Sequence, residues 1–113
     1  MKLVEESIGL SELDQMAEKM FGSLVKAVVD VEEEVMVVDA EMHSDEEEFL
    51  LQHGSKQKNL WGINLYPNKF GEDFIEFDSM INLRPSQNNR SRSVDDIKIR
   101  EKIISIVEKL VKE

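Results

Sequence analysis

All four arginines of the chain lie between Arg84 and Arg100, around the polar stretch INLRPSQNNRSRSVDD. That stretch also supplies Ser86, Gln87, Asn88, Asn89, Ser91 and Ser93 as hydrogen-bonding groups. A guanidinium binds a carboxylate or phosphate through two parallel N–H bonds, and the start of a following helix offers free backbone N–H groups. Arg84, Asn88, Asn89, Arg90, Arg92 and Arg100 are therefore candidates for an anion- or ligand-binding loop. The competing reading is a solvated connector, in which Asp95 and Asp96 neutralise the arginines and Asp96 and Arg100 sit at the favourable i,i+4 spacing. Arg100 falls within the apolar half of its expected helix, so it is paired, snorkelling or functional.

A second constellation is a polar strand face. If NLWGINLYP and FIEFDSMINLRP pair as a hairpin, Asn64, Tyr66, Glu76, Asp78, Asn82 and Arg84 project from the same side. Two carboxylates in unlike environments can divide acid and base roles, which makes Glu76 and Asp78 the candidates for proton transfer. A row of polar residues is also what the wet side of a half-covered sheet carries. Asn64 and Asn82 fit that plain reading less well, because asparagine is disfavoured in strands. The two histidines form a third set: His43 and Glu47, four apart, with His53 further on. Two imidazoles and a carboxylate are zinc-type ligands, but this spacing matches no established site, so no metal is assigned. The chain contains no cysteine, which removes disulfides, thiolate catalysis and thiolate metal sites. No phosphate-binding or dinucleotide-binding glycine motif, no nucleophile elbow and no HExxH motif occurs, and no cofactor is implied.

Charge narrows the partners. The 24 acidic and 14 basic residues give a formal net charge of −10, which argues against broad nucleic-acid binding or docking on anionic membranes. The distribution is uneven: residues 1–48 carry a net of −12 and residues 49–113 a net of +2. No apolar run approaches the roughly 20 residues that a bilayer needs, and acids interrupt the N-terminal segment where a secretory signal would be apolar. The expected location is the cytoplasm.

These side chains must be positioned by the elements around them. SELDQMAEKMFGSL has helical spacing of Leu13, Met16, Ala17, Met20, Phe21 and Leu24, with Ser11 as the expected cap and Gly22 as the stop. VKAVVDVEEEVMVVDA reads as a valine-rich hairpin turning at Glu32–Glu33. Val29 then faces Met36, Ala27 faces Val38, and Lys26 pairs with Asp39. HSDEEEFLLQHG fits a short helix with Ser44 and Glu47 as a capping box and Gly54 as terminator. In the second hairpin Trp61, Ile63 and Leu65 share a face with Ile75, Phe77, Ile81 and Leu83. SVDDIKIREKIISIVEKLVKE is the longest helix, with isoleucine, valine and leucine over about half its circumference.

The segments HSDEEEFLLQHGSKQKNLWGINLYP and IEFDSMINLRPSQNNRSR, together with the VKAVVDVEEEVMVV hairpin, resemble a small prokaryotic family of conserved proteins without an assigned function. The resemblance implies a stand-alone domain of about this length and carries over no catalytic residue or ligand.

The expected architecture is one α+β domain over residues 1–113. It is a two-layer sandwich in which an antiparallel sheet of two hairpins is covered by three helices, in the order α-β-β-α-β-β-α. The expected function is a small binding or interaction domain that uses the 84–92 loop for an anionic small molecule or an acidic protein surface. The alternative is an enzyme acting on a phosphorylated or nucleotide substrate, with Glu76 or Asp78 as acid or base. A homodimer formed through the sheet edge or the last helix is a further expectation.

Overall fold

The computed structural model describes residues 1–113. In chain order its elements are β1 (Lys2–Val4), β2 (Ile8–Gly9), α1 (Leu10–Met20), β3 (Val25–Asp30), β4 (Val35–Val38), α2 (His43–Gln52), β5 (Leu60–Leu65), β6 (Ile75–Glu76), α3 (Ile97–Leu110) and β7 (Val111–Lys112). Five strands form an antiparallel sheet in the order β1-β4-β3-β5-β6, while β2 and β7 pair in parallel as a small ribbon. The α+β class and the three expected helices are present. The terminal strands β1, β2 and β7 add to the expected order; each is only two or three residues long, too short for a periodic signal.

The first hairpin forms in the expected register, Val29 opposite Met36 and Ala27 opposite Val38. Glu32–Glu33 is tolerated at its tip because the turn is not a bare two-residue link. The Asp30 carboxylate accepts the Glu32 and Glu33 backbone N–H groups at 2.9 and 3.0 Å, and Glu34 takes a positive φ of 59°. The expected Lys26–Asp39 pair does not form, since the chain leaves the strand at Asp39, where φ is 71°.

Alternation of side chains along β3 and β5 divides the core into two parts. On one face, Val25, Ala27, Val29, Trp61, Ile63 and Leu65 pack with Leu13 and Ala17 of α1 and with Ile103, Ile106, Val107 and Leu110 of α3. On the other, Val28, Val37 and Leu60 pack with Leu50 of α2. Helices α1 and α3 thus cover one face as expected, and α2 lies on the opposite one. Gly22, at φ 90°, follows α1 in a conformation that suits glycine.

Two expected helix caps are replaced. Gly9 precedes α1, held extended by its pairing with β7, so Ser11 lies inside the first turn. Met42 precedes α2, and neither helix has a side-chain cap bond. Asp96 does cap α3, accepting the Lys98 N–H at 2.8 Å.

The second hairpin departs most from expectation. It is a strand pair only at Asn64–Glu76 and Leu65–Ile75. Beyond Glu76 the chain turns away, because the Ser79 hydroxyl accepts the Ile81 N–H and starts a 3-10 turn over Met80–Asn82. Phe77 and Ile81 are consequently half-buried rather than buried, Leu83 is exposed, and Ile81 packs on the α2 side of the sheet.

Candidate functional site

The arginine-rich stretch is built around asparagine side chains. Arg84 and Asn89 exchange both backbone hydrogen bonds, closing a small loop in which Asn88 adopts φ 60°. Asn89 is buried; its amide donates to the carbonyls of Asn82, Ser91 and Ser93, and its oxygen accepts the Asp95 N–H at 2.8 Å. Asn82 is fully buried and acts as a substitute peptide group. Its oxygen accepts the Gly62 N–H at 2.9 Å, and its nitrogen donates to the Gly62 and Arg92 carbonyls at 3.0 Å each. The β5 edge is satisfied there without a neighbouring strand. The approach requires glycine: a Cβ at Gly62 would stand 2.6 Å from Ser79 Cβ and Oγ.

The four arginines go to different places. Arg84 is buried, with its guanidinium stacked over the Trp61 ring and donating to the carbonyls of Ile81, Gln57 and Leu60 and to the Gln87 side chain. Burial lowers its pKa, an effect the nearby Glu47 carboxylate opposes. Arg100 lies 5.0 Å from the Phe77 ring and bonds the Val94 carbonyl and the Ser93 hydroxyl, on the side of a separate apolar groove against α3. Arg92 pairs with Asp78 at 2.7 Å. Arg90 is exposed, and its backbone N–H donates to Asp95. The Asp95 pKa is lowered chiefly by the Ser91 hydroxyl.

A cleft of about 390 Å³ lies between the start of α2, the Asn64 end of β5, β6 and the Ser79–Ile81 turn. It joins members of all three sequence constellations: His43, Asn64, Glu76, Asp78 and Arg92, with Lys26 added from β3. Lys26, Asn64 and Glu76 are direct cross-strand neighbours on β3, β5 and β6, so they form one row across the sheet. Tyr66 and Asn82 stand behind this wall. The Tyr66 hydroxyl donates to Glu76 Oε1 at 3.0 Å; its partial burial, and then that carboxylate, raise its pKa.

His43 ties α2 to the sheet. One ring nitrogen, Nε2, faces the Ile63 carbonyl at 2.7 Å. A carbonyl only accepts, so Nε2 carries the proton and Nδ1 presents a lone pair, for which the protein supplies no donor. Burial lowers the His43 pKa and favours this neutral form. Asn64 is similar: its nitrogen donates to Glu76 Oε1 at 2.8 Å and to the Asp78 carbonyl at 3.3 Å, while its oxygen is buried without a partner. His43 and Asn64 are only 9 % and 7 % exposed, and their side chains lie against one another at the cleft floor, where Asn64 Oδ1 is the enclosed acceptor.

His53 has a different place. It stacks on Phe49 and faces that residue's carbonyl at 2.7 Å, closing the end of α2. No group of three or more histidine, aspartate or glutamate side chains stands close enough to hold a metal ion.

A family model described as a protein of unknown function (DUF5674) matches residues 2–110. The chain belongs to that family. No curated protein and no solved structure matches it. In this member of DUF5674, no helix is long and apolar enough to cross a membrane. Sequence reasoning placed Asn64, Glu76, Asp78 and Arg92 among the candidates, but assigned Lys26 to a cross-strand ion pair and did not consider Ser79. The cue for Lys26 was available: it sits two residues before Val28 on a strand, and therefore on the face where Val28 points.

Proposed function

We propose that this DUF5674 protein is a small-ligand-binding domain whose site is the cleft between α2 and the β5–β6 edge. The observation that carries the reading is the buried, unpartnered Asn64 Oδ1, with the His43 Nδ1 lone pair beside it, at the floor of a cleft lined by charges of both signs. Buried polar atoms are normally hydrogen-bonded, and a donor on a bound molecule would complete both. Lys26, which pairs with no carboxylate, serves an anionic group of that ligand, in place of the arginine loop that the sequence suggested. A volume of about 390 Å³ suits a compact metabolite.

An enzymatic reading uses the same groups. A neutral imidazole with one open lone pair can act as a base, and Asp78 or Glu76 would act as its acid counterpart on a phosphorylated or nucleotide substrate. Binding is the simpler of the two, since it requires no proton transfer among these groups.

The test is mass spectrometry of small molecules that co-purify with the native protein, compared with Ser44→Trp, which fills the cleft from an exposed position at the start of α2. A molecule retained by the native chain and lost from a well-folded Ser44→Trp supports the reading. Equal retention by both moves the site elsewhere.

A further inference from the structure

The cleft carries information about the chemistry of its occupant, and this step rests on the ligand-binding reading above. Four groups in it have capacity that the protein does not use. The Lys26 ammonium lies 5.0 Å over the Phe21 ring and pairs with no carboxylate. Glu76 directs Oε1 to Asn64 and Tyr66, leaving Oε2 open. Asn64 Oδ1 is buried without a partner, and His43 Nδ1 receives no donor from the protein.

These groups are ordered in space. Lys26, Asn64 and Glu76 occupy successive strands in register, so a cation, an amide and a carboxylate follow one another across the sheet. Two strand spacings put the ends of this row about 10 Å apart at the backbone. His43 stands beside the middle of the row, with its proton committed to the Ile63 carbonyl. One end therefore attracts an anion, while the middle and the other end accept hydrogen bonds from a cation. The remaining pair, Arg92 and Asp78, neutralise one another at 2.7 Å. Summed over the four charged side chains, the site is neutral, and a ligand with one charge of each sign matches both ends of the row.

The rim is apolar. Met42 and Met80, which are 55 % and 63 % exposed, flank the cleft. Unbranched thioether side chains adapt to apolar groups of varied shape. The volume, about 390 Å³, accommodates a short dipolar head with an apolar branch.

We infer that the occupant is a small amphiphilic zwitterion of the free α-amino acid type. Its carboxylate lies toward Lys26, its ammonium donates to Asn64 Oδ1, His43 Nδ1 and Glu76 Oε2, and its apolar side chain lies between Met42 and Met80. A phosphorylated anion would face the Glu76 carboxylate and two lone pairs. A simple amine would leave Lys26 unmatched.

The experiment is a titration followed through backbone amide resonances, using L-leucine and L-phenylalanine beside N-acetyl-L-leucine and L-leucinamide. The free amino acids should give saturable shifts at His43, Asn64 and Glu76, and each capped analogue should bind about tenfold more weakly or worse, the cost of one lost charge-assisted contact. Lys26→Met should abolish the preference over the amide, and Glu76→Gln should reduce the preference over the N-acetyl form. Equal or tighter binding of either capped analogue would overturn the zwitterion while leaving the cleft as a binding site. So would silence toward all four compounds in a protein that still retains a co-purifying molecule lost from Ser44→Trp. Silence toward all four, with nothing retained by the native chain, would overturn the binding reading itself.

Discussion

Glu46 offers the sharpest test of the energetics of this fold. It is fully buried on α2; Oε2 accepts the Ala40 N–H at 3.2 Å and Oε1 has no partner. Burial pushes its pKa up to about 10, against an ordinary value of 4.5. The folded state therefore keeps a proton that the unfolded chain releases above pH 4.5. Stability from this group is fully present below 4.5 and declines as pH rises toward 10, by as much as 1.36 kcal/mol per pH unit. At pH 7 the loss amounts to about 3 kcal/mol, a large share of the 5–15 kcal/mol typical of a domain. Glutamine keeps the shape and the acceptor for Ala40 and has no proton to lose. Glu46→Gln should accordingly be more stable than the native chain at pH 7, by about 2–3 kcal/mol once local relaxation is allowed for, and nearly equal to it at pH 4.5. Urea unfolding followed by fluorescence of Trp61, the only tryptophan and a buried one, measures both values. A variant destabilised at pH 7 more than at pH 4.5 would show that the carboxylate is ionised in the fold, held by a charge such as Lys26, and would refute the argument.

Three further outcomes are expected. Arg84→Lys should lose about 3 kcal/mol in the same urea assay, nearly as much as Arg84→Ala, because one ammonium cannot serve the Ile81, Gln57 and Leu60 carbonyls while stacking on Trp61; full rescue by lysine would contradict this. Gly62→Ala should cost about 1–3 kcal/mol by overpacking Ser79, and Ser79→Gly should relieve part of that cost in the double variant; strict additivity would place the strain elsewhere. Nitrogen-15 spectra of the imidazoles should show the His43 ring neutral at pH 6.5 and protonated on Nε2, since burial lowers its pKa; an Nδ1–H tautomer would remove the open acceptor from the cleft.

Where packing faces were regular, the sequence was a good guide. The Val25–Val38 hairpin was legible because valine is concentrated in both strands, and its register followed from centring the turn on Glu32–Glu33. Helix α3 was legible in its apolar stripe, although Ile97, at its first turn, is 66 % exposed. The stretch from Asp78 to Asn89 was not legible. Its residues alternate as a strand would, yet one serine hydroxyl and two asparagine amides divert the backbone by taking hydrogen bonds that a ladder would have used. The Asn82 diversion is anchored on Gly62, twenty residues earlier, and such contacts leave no periodic trace.

The arginine cluster illustrates why closeness in sequence is weak grounds for a shared site. Arg84 leaves a buried strand edge, Arg92 follows a loop returning across that edge, and Arg100 sits on a helix on the far side of the sheet. A connection that crosses from one layer to another places neighbouring residues on opposite faces of the fold, and each guanidinium is then engaged by what it meets there: carbonyls and a ring, a carboxylate, or a helix start. The polar strand face had the opposite property. Lys26, Asn64 and Glu76 are far apart in sequence but occupy adjacent strands in register, and register forces same-face residues together. For a protein of this topology, a row across strands is a stronger basis for a site than a run along the chain.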